Sequence, residues 1–169
     1  MQMTMREWVA YQGSLGDRYV PTALAGVLSG VMRCLVLLQE RTRRAGAVNT
    51  GRYLAAWKVS KLPNGARVFN QAPYAGVIEQ GRRPGKFPPV TAIERWVTRK
   101  LGLKGAEART AAFLIGRAIQ RRGIRARRIL TDPANLEAMT ALVQEEVSRV
   151  LREMLATGSA QVLALGGEP

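Results

Sequence analysis

The stretch A-P-Y-A-G-V-I-E-Q-G-R-R-P-G-K-F-P-P, Ala72 to Pro89, sets the character of the chain. Pro73 suits a helix start and Gly81 a helix stop, so its first half reads as a short helical turn. Pro84, Pro88 and Pro89 then forbid regular pairing, which leaves Arg82, Arg83 and Lys86 on an extended cationic loop. Loops of this length without secondary structure are uncommon in compact domains and are usually functional or disordered. Here the prolines remove the freedom that disorder needs, and a shaped contact loop is the expectation.

Working outward, Asn49 or Thr50 is placed to cap a short helix running through Trp57. Lys58 to Leu62 and Ala66 to Asn70 alternate around Pro63-Asn64-Gly65, a hairpin signal because Asn and Gly both tolerate positive φ. Two strands alone are marginal in water, so they must pack on helices or be completed by another subunit. Downstream, Val90, Ile93, Val97 and Leu101 line one face of a helix over 91–101. A second helix over 106–121 carries the small stripe Ala108, Ala111, Ala112, Ile115 and Ile119 and stops at Gly123. Asp132 and Pro133 open the last helix, which should reach about Leu155 with Leu136, Val143, Val147, Val150 and Met154 inward. Leu24, Leu28, Val31, Leu35 and Leu38 predict a long first helix from Pro21 to Arg44. The expected fold class is α+β, a small antiparallel β-sheet packed against several α-helices, with long N- and C-terminal helices. Residues 1–18, with Trp8 and Tyr11, read as an arm, 19–156 as a single domain, and 157–169 as a flexible C-terminal tail.

Composition narrows the function. The 169 residues are 47% hydrophobic and 22% charged, the balance of a soluble globular protein. Cys34, the single cysteine, cannot form an internal disulfide and sits among apolar neighbours as a core thiol. There is no histidine, which removes the commonest general base and metal ligand and every Ser-His or Cys-His arrangement. No paired-acid motif or phosphate loop appears, and Glu145-Glu146 falls in an amphipathic pattern where a solvated face is expected. The sequence therefore points away from an enzyme: no catalytic residue, metal or cofactor is expected.

Charge is distributed unevenly. Residues 41–131 hold 21 of the 26 Lys and Arg against three acids, Glu79, Glu94 and Glu107, in a chain of net charge +14. Such a surface favours nucleic acid, an acidic protein or the acidic face of a neighbouring copy. The apolar run Tyr19 to Leu38 carries Arg33, which a bilayer centre would penalise by about 2.5–3.5 kcal/mol, so a core helix and no membrane are expected.

Three elements carry a family resemblance. They are Thr50-Gly51-Arg52-Tyr53, then Tyr74-Ala75 with Glu79, Gly81 and Arg83 before a proline-rich tail, then Ile124 to Leu130. Their order over about residues 20–155 resembles the neck, or tail-completion, proteins of long-tailed bacteriophages, the broad family that includes the lambda Z protein. The last element departs from that pattern, with Arg127-Arg128-Ile129 in place of the usual Arg-Pro-aromatic. The resemblance implies a structural virion component that joins head to tail as a homo-oligomeric ring around the DNA channel. Implied partners are adjacent copies, portal-side head connector proteins, tail terminator or tail tube proteins, and packaged DNA through non-specific contact. The implied place is the neck or tail region of the virion, assembled in the bacterial host cytoplasm. The alternative is a basic nucleic-acid-binding protein of a phage or mobile element.

Candidate interface residues are Tyr74, Glu79, Arg82, Arg83, Pro84, Lys86 and Phe87, since Tyr, Trp and Arg dominate interface energetics. Glu79 is expected to form a charge pair that fixes the loop or reaches the next subunit. The densest basic patch, Arg117, Arg121, Arg122, Arg125, Arg127 and Arg128, would face the DNA channel or an acidic partner. It has no interleaved aromatics for stacking bases, which argues against single-strand reading.

Overall fold

The computed structural model describes residues 5–165. The fold is α+β. In chain order the elements are α1 (Met5–Arg44), α2 (Arg52–Ala55), β1 (Trp57–Leu62), β2 (Gly65–Asn70), α3 (Ala75–Gln80), α4 (Val90–Leu101), α5 (Gly105–Arg122) and α6 (Pro133–Leu165). The strands β1 and β2 form a two-stranded antiparallel hairpin. Its turn is Pro63-Asn64; Gly65 already belongs to β2, and neither Asn64 nor Gly65 takes a positive φ, so the turn sits one residue earlier than Asn-Gly suggests. On β2 the Arg67 guanidinium lies 4.9 Å from the Phe69 ring centre.

The terminal helices exceed their expected lengths. Pro21 lies inside α1 instead of at its start. A proline removes one backbone donor, and the helix continues on both sides of it, with Arg18 Nε donating to Ser14 O at 3.3 Å in the turn before. The expected arm is therefore helical from Met5. At the other end α6 continues past Leu155 through the expected tail to Leu165; residues 1–4 and 166–169 lie outside the described part.

The chain forms two compact units. The first gathers α1 up to Leu37, Lys58–Phe69 and α6. Gly26 meets Val147 and Val150, Gly30 meets Val143, and Cys34 Sγ lies 3.5 Å from Met139 O, so α1 and α6 run antiparallel. A Cβ on Gly30 would stand 2.6 Å from Val143 Cα, so the close approach requires glycine. Val31, Cys34 and Met139 are buried here, and burial pushes the Cys34 thiol up. Leu136, expected to face inward, is exposed; Met139, one turn on, takes that place. Glu146 corrects the expectation of a solvated pair. It is 8% exposed and accepts from Ser29 Oγ at 2.9 Å, Arg33 at 2.8 Å and Arg149 at 2.8 Å. Those bonds, Arg149's first, hold its carboxyl down to about 2. Within α1, Gly13–Arg44 is long and apolar enough to cross a membrane by length and composition, its most apolar 18-residue window having mean hydropathy 1.8. It is covered on the α6 side, while Tyr19, Val20, Met32 and Val36 are exposed.

The second unit comprises Leu38–Trp57 and Asn70–Asp132. Its core joins Ile93 and Val97 of α4 to Ala108 and Ala112 of α5, with Val90, Leu103, Ile115 and Ile119 packed around them. Alanine at 108 and 112 lets the two helices approach closely, and Gly102 turns the chain between them with φ 71°. A buried polar relay braces the end of α1. Trp57 Nε1 donates to Thr42 Oγ1 at 2.9 Å, and that hydroxyl donates to Leu38 O at 2.7 Å. The short helix α2 starts after Gly51 at φ 77° with no side-chain cap, so neither Asn49 nor Thr50 caps it.

Candidate functional site

The loop Gly81–Pro89 leaves α3 through Gly81, at φ 75°, a value that favours glycine. Gly123 ends α5 at φ 74°. Each glycine lies against the opposite strand's backbone, Gly81 on the Ile124 carbonyl and Gly123 on the Arg82 carbonyl, where a Cβ has no room. Between them Arg82 and Ile124 form an antiparallel bridge, with N–H to O at 2.8 Å in both directions. Arg127 N then donates to Ile78 O at 2.8 Å and Arg128 N to Glu79 O at 3.2 Å. The 124–128 segment is thereby zipped along 78–82 by backbone bonds alone.

Glu79 closes this junction. Its carboxylate accepts the Leu130 N–H at 3.1 Å and 3.0 Å, and the Tyr53 hydroxyl at 3.4 Å. Tyr53 is 3% exposed; burial, then the Glu79 charge, raise its phenol well above the ordinary range, so it stays a neutral donor. The Tyr53 ring meets Trp57 edge-on at 5.9 Å and Tyr74 at 6.1 Å. Asn70 ties the approach to Tyr74, donating to Tyr53 O and accepting Ala72 N–H, both at 2.9 Å. All three sequence elements that carry the resemblance thus meet at Tyr53, Glu79 and Leu130. Glu79 does fix the loop, but through an amide and a phenol instead of a pair with Arg82 or Arg83.

The proline loop is anchored at several points along its backbone. Arg82 Nη2 donates to Lys86 O at 2.6 Å, and Gly85 N to Gln120 O at 2.9 Å. Phe87 seats its ring on Gly116 and lies 5.7 Å from Phe113, and Pro88 is buried. Arg83, Pro84 and Lys86 are exposed between these anchors. The seven expected interface residues therefore divide by task. Glu79, Arg82 and Phe87 hold the loop; Arg83, Pro84 and Lys86 are presented by it; Tyr74, 41% exposed, does both.

The basic patch divides too. Arg117, Arg121 and Arg122 line a shallow cleft on α5 with Leu114 and Ala118, while Arg125, Arg127 and Arg128 follow on the zipped segment. All six are exposed, and among the described residues none is in an ion pair. Arg128 takes φ 48°. Exposed Phe113 and Leu114 lie on α5 beside them, apolar company that the arginine run did not announce. The Leu130 amide and buried Ile129 were equally silent in the sequence, because a backbone donor carries no residue signature. The chain matches no protein-family model, no curated protein and no solved structure.

Proposed function

We propose that the protein is a structural component of a tailed-phage particle, one subunit of a homo-oligomeric ring at the neck that joins head to tail. One observation carries this reading. A nine-residue loop is tied down through its backbone at Arg82, Gly85 and Lys86, yet the exposed side chains of Arg83 and Lys86 at its tip enter no ion pair among the described residues. Ordering such a tip before binding removes an entropic cost of association, which is the use of a preorganised contact element. The order of the three motif elements, and their meeting at Tyr53, Glu79 and Leu130, support the same reading. Phe113 and Leu114 set exposed apolar surface beside Arg117 and Arg121, and aromatic residues and Arg are enriched at protein interfaces. In this reading the partners are adjacent copies, a portal-side connector and a tail terminator or tube. Complementarity does the work, and no bond chemistry is required.

Arg83→Ala with Lys86→Ala tests it. Both side chains are exposed, so stability should stay within about 0.5 kcal/mol of the parent, while ring formation with neck partners fails by light scattering and particle imaging. Normal rings and normal infectious yield from the double variant would overturn the assignment of this loop.

A further inference from the structure

A cleft of about 620 Å³ opens in the second unit, lined by α2, α4, the residues before α2 and the start of α3. It collects Arg52, Arg95 and Arg99, with Tyr53 and Tyr74, from segments far apart in sequence. No carboxylate lines it. Glu79, beneath Tyr53, has both oxygens on the Leu130 amide, and Glu94 belongs to a neighbouring cleft with Thr91 and Thr98, which Arg95 and Arg99 also border. Among the described residues none of the three guanidiniums is in an ion pair. Unpaired like charges gathered in a concave site focus a positive potential that an anionic ligand relieves.

We propose that this cleft binds an acidic segment of a partner protein in extended conformation, with carboxylates on alternate residues. Arg95 and Arg99 stand one turn apart on α4, a spacing that puts Cβ atoms about 5–6 Å apart. Alternate side chains on an extended chain repeat at about 6.4–6.8 Å, so two carboxylates of an acid-x-acid segment meet two guanidiniums in register. Arg52, from a second element, reaches a third anionic group or closes over one of the two. The half-exposed Tyr74 ring, backed by Tyr53, offers an apolar face to the intervening residue. The cleft is the size of a site for a small ligand or a few residues, too confined for a duplex. Single-stranded nucleic acid stacks successive bases on open rings, whereas Tyr53 is 3% exposed and leaves one ring presented. The site is separate from the proline-loop tip and stands whether or not the ring reading holds.

The test is fluorescence anisotropy with three labelled probes: a ten-residue Glu-Ser repeat, a Lys-Ser repeat and a ten-nucleotide thymidine strand. The Glu-Ser peptide should bind saturably at low salt and the Lys-Ser peptide should not. Arg95→Glu with Arg99→Glu should weaken the acidic peptide at least tenfold, and Arg52→Glu, on a different helix, should reproduce the direction of that loss. Arg121→Glu with Arg122→Glu, the same charge change on the other patch, should leave affinity within about twofold. Equal losses from both pairs would mean net charge and no cleft. Tighter thymidine binding, abolished by the cleft variants, would make it a nucleic-acid site, and absence of saturable peptide binding would refute it outright.

Discussion

Replacing Glu79 by alanine removes the acceptor around which the second unit's loops are organised. The carboxylate takes one N–H shared between its two oxygens at 3.1 Å and 3.0 Å, a charge-assisted bond of about 1.5–3 kcal/mol. Its loss also strands two donors, the Leu130 amide and the Tyr53 hydroxyl, each costing about 1–3 kcal/mol where water cannot reach. Leu130 is only partly buried and the phenol bond is long at 3.4 Å, so both lie at the low end. The expected loss is about 3 kcal/mol, or a fall of about 6–12 °C in Tm for a chain this size. Urea denaturation followed by far-UV circular dichroism measures it. Glu79→Gln keeps an oxygen acceptor and should lose about half as much. Tyr53→Phe deletes only the long bond and should cost under about 1 kcal/mol. A Glu79→Ala variant within 0.5 kcal/mol of the parent, or a Tyr53→Phe loss equal to it, would refute the account, since neutral surface changes fall within about that limit.

Gly30→Val should overpack the α1–α6 contact, where Val143 Cα already stands 2.6 Å from an added Cβ, and cost about 1–3 kcal/mol or more by denaturation. Thr42→Val deletes the hydroxyl that accepts the buried Trp57 indole, and should cost about 1–3 kcal/mol and shift the tryptophan emission. Glu146 has its carboxyl held at about 2 against an ordinary 4.5, so the native state binds fewer protons between those values. Its contribution is fully present above pH 4.5 and is lost as pH falls toward 2; a denaturation midpoint that stays flat across that window would refute it. Duplex DNA should bind weakly and without sequence preference, on the order of 10⁻⁶ M or poorer, and should weaken steeply with salt. Tight, salt-resistant binding to one sequence would favour a DNA-binding regulator instead.

Helices with strong punctuation were legible from the sequence. Gly102 and Gly123 bound the α4–α5 pair, and the alanine stripe named its buried face correctly. The hairpin was equally plain, although its turn moved to Pro63-Asn64. The long helices outrun their sequence signals at the outer ends for opposite reasons: Pro21 suggests a start although one missing donor is a local loss, and the glycine-rich tail hides continued helix. Periodicity counts Glu146 as polar and solvated, while its three donors come from Ser29 and Arg33 on α1 and from Arg149. The importance of Glu79 was visible, but its partner was not: the Leu130 amide lies 51 residues away and could belong to any residue type. Arg52, Arg95 and Arg99 were invisible as a set, because only tertiary structure gathers them, whereas the arginine run over 117–128 was conspicuous and turned out to be split between a helix and an extended segment.

The pairing of the first helix with the last has a consequence for biosynthesis. Arg33 waits for Glu146 across 113 residues, so at about 5–20 residues per second it stands without its partner for about 6–23 s. In that interval the glycine-notched face around Gly26 and Gly30, with Val31 and Cys34, is already made and still uncovered. The second unit, Leu38–Trp57 with Asn70–Asp132, is made entirely before α6 and can compact meanwhile, whereas Lys58–Phe69 belongs with the unfinished first unit. A nascent chain whose Asp132 has just cleared the ribosomal exit tunnel would therefore carry one settled unit and one unfinished, sticky helix, the kind of species that chaperones exist to shield.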